Sequence, residues 1–159
     1  TMPVRILETE NANDGARERR HAVYRIAVLT SSRAQEAFLA EQISRFCAEH
    51  CLFPKMDCYH DQESFFEAAR CEPLTNAVIA LPGVDGLNAV EHLRALCPQT
   101  RIIWCSDLDF SLHAFRLRAD YFLLEPVTED ALRQGFCSWL DKKAPLRSDR
   151  NEHNKENGL

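Results

Sequence analysis

The chain has 159 residues, 45% of them hydrophobic, which is enough for one domain with a buried core. A formal net charge of −5 at pH 7 argues against a nucleic-acid surface, because such a surface needs clustered positive charge. No apolar run approaches the roughly eighteen residues that cross a bilayer, and the N-terminus lacks the pattern of an export signal. We therefore expect a cytoplasmic protein that binds neither nucleic acid nor membrane directly.

The cysteine content favours reduced thiols, because seven is an odd number and no export signal accompanies it. Cys47 and Cys51 are spaced to share one helical face, and Cys58 and His60 follow them. A zinc site needs paired ligands at tight spacing, and the predicted strands and helices scatter these residues. Small buried thiols are the more common use of cysteine, so we expect no metal site here.

The two ends of the chain differ in composition from the middle. Residues 1–22 have too little apolar surface to offset the entropy of ordering, although Val4–Leu7 can add a short strand. Residues 144–159 are polar throughout and predict a tail. We expect residues 23–143 to form the single folded domain.

Between these ends, short apolar runs alternate with amphipathic stretches. The apolar runs are brief and predict strands, of which the second alternates weakly, as a strand near a sheet edge does. These strands are Tyr24–Leu29, Lys55–Tyr59, Thr75–Leu81, Arg101–Cys105 and Tyr121–Leu124. Apolar spacing and capping residues predict helices over Arg33–His50, from the N-cap Asp61 through Arg70, over Leu87–Leu96 and Phe110–Arg118, and from the cap Thr128 to about Lys142.

Five strand–helix units in succession predict an α/β fold. Parallel neighbours need crossover connections, so the sheet is expected to be parallel with helices on both faces. The common five-stranded solution is the flavodoxin-like three-layer sandwich with strand order 2-1-3-4-5, whose ligand crevice lies at the C-terminal ends of the strands. The residues that follow the first, third, fourth and fifth strands are Thr30-Ser31-Ser32, Leu81-Pro82-Gly83, Ser106-Asp107 and Glu125-Pro126.

Two segments at this crevice resemble the receiver domains of bacterial response regulators. Leu81–Leu87 reads LPGVDGL and resembles the PGMDG loop that follows the strand with the phosphoacceptor aspartate. Tyr121–Pro126 reads YFLLEP and resembles the DYLLKP segment, which carries an essential lysine. Together with Ala114-Phe115 and Ala119-Asp120, the second segment is most similar to receivers that precede LytTR-type DNA-binding domains. The resemblance extends over most of the predicted domain.

The resemblance implies a phosphorylation pocket from which the reactive groups are missing. Receivers bind Mg²⁺ through two acidic residues after the first strand, where this chain has two neutral hydroxyls. No aspartate occurs in Asn76–Leu81, where the phosphoacceptor belongs, and the loop to Pro82 is shortened. Ser106 matches the receiver serine or threonine, whereas Glu125 replaces the lysine. The degenerate pocket then consists of Thr30, Ser31, Leu81, Ser106 and Glu125.

Relocated phosphorylation chemistry is one alternative, because Asp85, Asp107 and Asp109 also lie near the predicted crevice. Asp107 can also join Glu125 as a metal pair. We favour the simpler interpretation that Asp107 or Asp109 caps the following helix and that Asp85 lies in a turn.

A small flavodoxin-like ligand sensor or enzyme is the second alternative, with the crevice at the strand ends as its site. Thr30–Ser32 then holds a phosphate, but this segment lacks the spacing of a flavin-phosphate loop and is better explained as a helix cap. His92 and His113 have no evident nucleophile as a partner. We therefore expect no catalytic residues and no cofactor.

The resemblance also implies a switch pair and an interaction surface. In receivers the serine or threonine after the fourth strand is coupled to an aromatic residue in the fifth, and Ser106 and Phe122 hold these positions. Receivers commonly dimerise or bind partners through the fourth helix, fifth strand and fifth helix. We therefore predict a pseudo-receiver: a phosphorylation-independent module for protein interaction or dimerisation in bacterial signal transduction or transcription regulation. Its mixed-charge candidate interface consists of Arg116, Arg118, Asp120, Arg133 and Asp141.

Overall fold

The computed structural model of the protein describes residues 25–140. The predicted N-terminal segment, the possible strand Val4–Leu7, the polar tail and the interface residue Asp141 lie outside the described residues. The domain limits at residues 22–23 and 143–144 lie outside them as well.

Five strands alternate with five helices over the described residues. The strands are β1 (Arg25–Thr30), β2 (Lys55–Tyr59), β3 (Asn76–Ala80), β4 (Arg101–Ser106) and β5 (Tyr121–Leu124). The helices are α1 (Arg33–Glu49), α2 (Gln62–Cys71), α3 (Gly83–Leu96), α4 (Ser111–Arg116) and α5 (Glu129–Leu140). Every element expected from the sequence within residues 25–140 is therefore present.

The strands form one parallel sheet in the order β2-β1-β3-β4-β5, which confirms the predicted flavodoxin-like topology. The register aligns the C-terminal ends of the three central strands. Thr30 lies beside Ala80, Ala80 lies beside Cys105, and Ser106 lies beside Leu124. Residues that follow these strands therefore meet at one edge of the sheet, where the crevice is expected.

A hydrophobic core covers each face of the sheet. Successive strand residues point to opposite faces, so Val28 and Ile103 pack with α1 and α5, whereas Leu29 and Trp104 pack with α2, α3 and α4. On the α2–α3–α4 face, α3 lies so close to the sheet that Gly86 has no space for a side chain. A Cβ added at Gly86 lies 2.5 Å from the Leu81 carbonyl oxygen. This close approach brings the start of α3 directly against the end of β3.

Two helices differ in length from their predicted limits. α3 begins at Gly83, four residues before the predicted Leu87, so Asp85 lies in the first helical turn and not in a loop turn. α4 ends at Arg116, and Arg118 has the left-handed φ of 60°. The buried Arg94 guanidinium fixes this end of α4, because it donates to the backbone oxygens of Leu117 (2.8 Å) and Arg118 (3.0 Å).

Within residues 25–140, no helix has both the length and the apolar character that crossing a membrane requires.

Candidate functional site at the strand ends

The segment after β1 caps a helix, as the sequence predicts. Ser32 is the N-cap of α1, and its hydroxyl oxygen accepts a hydrogen bond from the Gln35 amide at 3.2 Å. Thr30 is completely buried, and its hydroxyl oxygen accepts the Ser32 amide at 3.3 Å. Ser31 is exposed at the rim of the crevice. The backbone of this segment is thus held by its own side chains.

Gln35 joins two of the strand ends through its side chain. The Thr30 hydroxyl donates to Gln35 Oε1 at 2.8 Å, and Gln35 Nε2 donates to Glu125 Oε2 at 3.0 Å. We call this series the Thr30–Gln35–Glu125 bridge. Both halves of the amide are satisfied, with its oxygen towards the hydroxyl and its nitrogen towards the carboxylate.

Sequence reasoning missed Gln35, although a signal was available. Ser32 and Gln35 have the spacing of a capping box, in which a glutamine at the third helical position returns to the N-cap amide. Only half of that motif forms, since the Gln35 side chain crosses to Glu125 on another strand end instead. A partner 90 residues away in the sequence is not readable from local spacing.

The end of β3 carries apolar residues. Ala80, beside Thr30 in the register, is 1% exposed, and Leu81 packs into the core on the α2–α3–α4 face of the sheet. Leu81, which we expected in the pocket, therefore contributes its side chain to the core. The chain then turns through Gly83, whose φ of 60° lies in the left-handed region, and enters α3.

Asp107 caps α3 from a neighbouring loop. The N-cap of α3 is Pro82, which provides no side-chain acceptor, and Asp107 Oδ1 accepts the Gly83 amide at 2.8 Å instead. Asp107 therefore serves the preceding helix and not the one that follows it. Asp109 precedes Phe110, the N-cap of α4, and its carboxylate accepts the Ser111 amide at 3.0 Å. Bonds from the Ser111 hydroxyl and amide lower the pKa of Asp109.

Ser106 and Glu125 are tied to the loops that follow their strands. Ser106 is completely buried, and its hydroxyl oxygen accepts the Leu108 amide at 3.1 Å. The Glu125 amide donates to the Ser106 carbonyl at 2.8 Å, and the Glu125–Pro126 peptide is cis. Beneath them, burial and then the Glu125 charge raise the pKa of Cys105 to about 12.

Phe122 of β5, which the sequence predicts as the switch aromatic, lies against Trp104 of β4. Its ring meets Trp104 edge-on, with centroids 5.3 Å apart, and Phe110 stacks on Trp104 at 5.4 Å. Phe122 is only partly buried, whereas Trp104 is completely buried. The start of α4, through Phe110, and the middle of β5, through Phe122, therefore both pack against the Trp104 ring of β4.

Metal ligands are not gathered at the crevice in the described structure. The carboxylates of Asp107 and Glu125, considered as a pair from the sequence, have separate partners in Gly83 and Gln35. No group of three or more His, Cys, Asp or Glu side chains within residues 25–140 is arranged to hold a metal ion. Of the two histidines considered for catalysis, His92 stacks on Phe66 and His113 contacts Phe110.

The candidate interface separates into exposed and internal residues. Arg116 and Arg118 are exposed beside β5. Asp120 is turned inward, where it accepts the Ile102 amide at 2.6 Å and forms an ion pair with Arg101 at 3.5 Å. Burial raises the pKa of Asp120 despite these partners.

Arg133 forms an ion pair with Glu49 of α1, away from α4. Asp120 therefore serves the fold, whereas Arg133 is exposed and stays a predicted interface residue.

Apolar side chains are exposed on the side of the molecule that carries Arg116 and Arg118. Leu112 is 59% exposed, Leu124 51% and Leu108 48%, and Phe115 projects from α4 beside them.

The acidic Asp130 lies on the same side of α5 as Gln134, one turn away, and Gln134 accepts a hydrogen bond from the Tyr121 hydroxyl of β5. We call the surface formed by α4, β5 and the Asp130–Gln134 side of α5 the α4–β5–α5 face.

Solved structures that match this fold include receiver domains of response regulators. The BeF₃-activated receiver domain of DrrB is 19% identical, covers 74% of this chain and 97% of its own, and has a TM-score of 0.56. The response regulator DrrB of Thermotoga maritima is 18% identical with a TM-score of 0.53, and the match covers 70% of this chain and 50% of that protein. A CheY-like receiver protein of Methanospirillum hungatei is 17% identical, with a TM-score of 0.59, and covers 76% of this chain and 95% of its own.

The chain therefore has the fold of the receiver domains of response regulators. No protein-family model matches the sequence, and no curated protein is similar to it at a significant level.

Proposed function

We propose that the protein is a response-regulator-like signalling module that acts through protein contacts and not through phosphoryl transfer. The receiver fold supports the first part of this proposal. The Thr30–Gln35–Glu125 bridge supports the second part, because Thr30, expected in place of a receiver acid, and Glu125, expected in place of the lysine, are both bonded to the neutral Gln35 side chain. Ala80 and Leu81, both buried, supply no acceptor for a phosphoryl group at the end of β3.

Electrostatics favour the same conclusion. A phosphoryl group about 4 Å from the Glu125 carboxylate costs about 4 kcal/mol per unit charge at an effective dielectric of about 20. The fold also holds Asp107 at the start of α3, so a second carboxylate faces the crevice. Backbone amides there are already used, since Gly83 donates to Asp107 and Leu108 donates to Ser106.

An NMR titration with Mg²⁺ and beryllofluoride, the stable mimic of an aspartyl phosphate, tests the loss of phosphoryl chemistry. We expect no saturable amide shifts at Ser106, Phe122 or Glu125. A conventional receiver titrated with the same reagents is the positive control. Saturable shifts clustered at these three residues would show that an acid such as Asp85 or Asp107 accepts a phosphoryl group, and the proposal would be wrong.

The α4–β5–α5 face is the surface through which we expect the protein to act. Its apolar centre, with Leu112 and Leu124 more than half exposed, is the kind of patch that marks an interface. Arg116 and Arg118 on one side and Asp130 on the other provide charges of opposite sign at its margin. A two-fold axis through such a face brings opposite charges of two copies together, so self-association is the first form to test.

Sedimentation velocity over a range of concentrations tests this surface with two equally exposed residues. Leu112 and Val84 are each 59% exposed, but Val84 lies on α3 outside the face. We expect the unmodified protein to form a dimer, Leu112→Glu to weaken the dimer about tenfold or more, and Val84→Glu to have little effect. Equal sensitivity of the two variants would remove the face from the proposal. A monomer at every concentration would exclude self-association.

A further inference from the structure

The edge of the sheet opposite β5 is open in the described structure. Over residues 25–140, β2 pairs with β1 and with no other strand. An edge strand presents a row of backbone amide and carbonyl groups to which another extended segment can bind. Apolar surface lies beside this edge, because Met56 of β2 lines a groove against α1 and Phe53, just before β2, is 87% exposed. Together these features indicate a contact surface that the proposed function does not use.

The side chains of β2 divide between the two faces of the sheet. Met56 and Cys58 pack against the core on the α1–α5 face, whereas Tyr59 packs against the core on the α2–α3–α4 face. Because side chains alternate along a strand, Lys55 and Asp57 lie on the same face as Tyr59. Lys55 is exposed and Asp57 is half-buried. The edge therefore presents an apolar side chain on one face and two charges of opposite sign on the other.

We propose that β2 pairs with β2 of a second copy of this chain, antiparallel, across a two-fold axis at Met56. Residues directly opposite each other in an antiparallel pair lie on the same face, about 4.5–5.5 Å apart. This register places Lys55 of each copy opposite Asp57 of the other, so two ion pairs form on one face. On the other face the two Met56 side chains meet at the axis. The two five-stranded sheets then form one continuous sheet.

The charges of β2 select this register. An axis at Lys55 or at Asp57 brings like charges directly opposite each other, which is unfavourable. An axis at Cys58 leaves Lys55 beyond the paired residues of the strand. Charged side chains usually keep edge strands apart. In β2, however, the two charges differ in sign and are two positions apart, so they favour antiparallel pairing of the strand with itself.

The apolar surface beside the edge lies close to the proposed axis. Phe53 is three residues from Met56, about 10 Å along the chain, so a second copy reaches it. Methionine side chains are flexible and adapt to one another at such a contact. A pairing of five residues is small, so we expect it at higher concentrations than the α4–β5–α5 dimer. The two contacts use opposite edges of the sheet, so both can form at once.

Charge reversal tests the pairing, with sedimentation velocity in a Leu112→Glu background that weakens association through the α4–β5–α5 face. Lys55→Asp and Asp57→Lys each place like charges opposite each other, and we expect each to weaken the remaining association at least fivefold. The double variant Lys55→Asp with Asp57→Lys exchanges the two charges and restores the association to within about twofold. Glu67→Lys, the same change at an exposed position of α2, is the control and has little effect.

An absence of association in the Leu112→Glu background at every concentration overturns the inference. A double variant as weak as the single variants also overturns it, because the charges then do not meet across the axis. The Leu112→Glu and Val84→Glu variants test the α4–β5–α5 face with β2 unchanged, and the charge reversals test β2 with that face unchanged. Failure of this inference and failure of the proposed function are therefore separately visible.

Hydrogen exchange of the full chain gives a second measurement at residue resolution. We expect the β2 amides that do not bond to β1 to exchange at least tenfold more slowly in concentrated than in dilute solution. Fast exchange at both concentrations contradicts the pairing. Slow exchange that persists on dilution contradicts it as well, because the edge is then covered within a single copy.

Discussion

Gln35 matches no receiver motif, but its side chain connects two of the strand ends at the crevice. Its amide oxygen accepts a hydrogen bond from the completely buried Thr30 hydroxyl of β1, and its amide nitrogen donates to the Glu125 carboxylate that follows β5. The site is therefore closed by internal hydrogen bonds and does not depend on a ligand to satisfy Thr30 or Glu125. Such a network stabilises the fold only while each of its members has a partner.

Removing the Gln35 side chain is expected to destabilise the protein. Gln35→Ala leaves the Thr30 hydroxyl without its acceptor in a buried position, so the free energy of unfolding should fall by about 1–2 kcal/mol. Urea unfolding measures this loss. Gln99→Ala, at an exposed glutamine in the turn before β4, is the control and should change stability by less than about 0.5 kcal/mol. Equal effects would show that the bridge contributes nothing.

The thiols are expected to react in two classes. Burial raises the pKa of Cys105 to about 12, and burial followed by the nearby Glu36 raises that of Cys58 to about 11. A thiol reacts as its thiolate, so at pH 8 these two should be alkylated by iodoacetamide much more slowly than the exposed Cys51 and Cys137. Mass spectrometry of a time course gives the order. Modification of Cys58 as early as that of Cys51 would contradict this order.

At the level of elements, the start of α3 depends on the absence of a side chain at Gly86. A Cβ there lies 2.5 Å from the Leu81 carbonyl oxygen and 3.3 Å from Trp104 Nε1, which are both held by the core. The short connection between β3 and α3 is therefore possible only because helix and strand approach this closely. Asp107 then supplies the N-cap that Pro82 lacks.

Gly86→Ala is expected to be costly although alanine favours helices. The gain in helix propensity is about 1 kcal/mol, but the backbone of Leu81 must move, and we expect a net loss of about 2 kcal/mol or more in thermal or urea unfolding. Gly83→Ala is the comparison, since a Cβ added there has no atom within 4 Å and only the positive φ is unfavourable for alanine. It should cost about 1 kcal/mol. A larger loss at Gly83 than at Gly86 would contradict this account of the connection.

At the scale of the whole molecule, one sheet has a separate hydrophobic core on each face. Trp104 lies in the core on the α2–α3–α4 face, and Trp139 lies in the core on the α1–α5 face. Both indoles are buried, so each reports on one side of the sheet. Because every strand contributes to both cores, loss of either core should remove the support of the other.

We expect both sides to unfold together. Trp139→Phe leaves Trp104 as the fluorescent reporter, and Trp104→Phe leaves Trp139. In each variant the fluorescence transition in urea should coincide with the loss of far-ultraviolet circular dichroism of that same variant. A fluorescence midpoint separated from the dichroism midpoint in either variant would show that one face opens before the other.

The sequence predicts the architecture of this protein better than it predicts the site. Buried parallel strands consist of continuous apolar residues, so β2 and β5 were predicted at their observed limits and the others within one residue at each end. The cap residues Ser32, Asp61 and Thr128 were also readable, because they act on amides three residues away. Gln35 with Glu125, Asp107 with Gly83 and Asp120 with Ile102 were not, since each contact joins residues that only the folded sheet brings together.

Arg94 has a mechanical consequence for any protein that binds α4. Its guanidinium bonds the carbonyls of Leu117 and Arg118 beyond the end of α4, and also those of Pro98 and Thr100. The other end of α4 rests on Trp104 through Phe110. A force applied to this short helix is thus transmitted to the end of α3 and to the middle of β4. We therefore expect a protein that binds α4 to meet a stiff surface that changes shape little on binding.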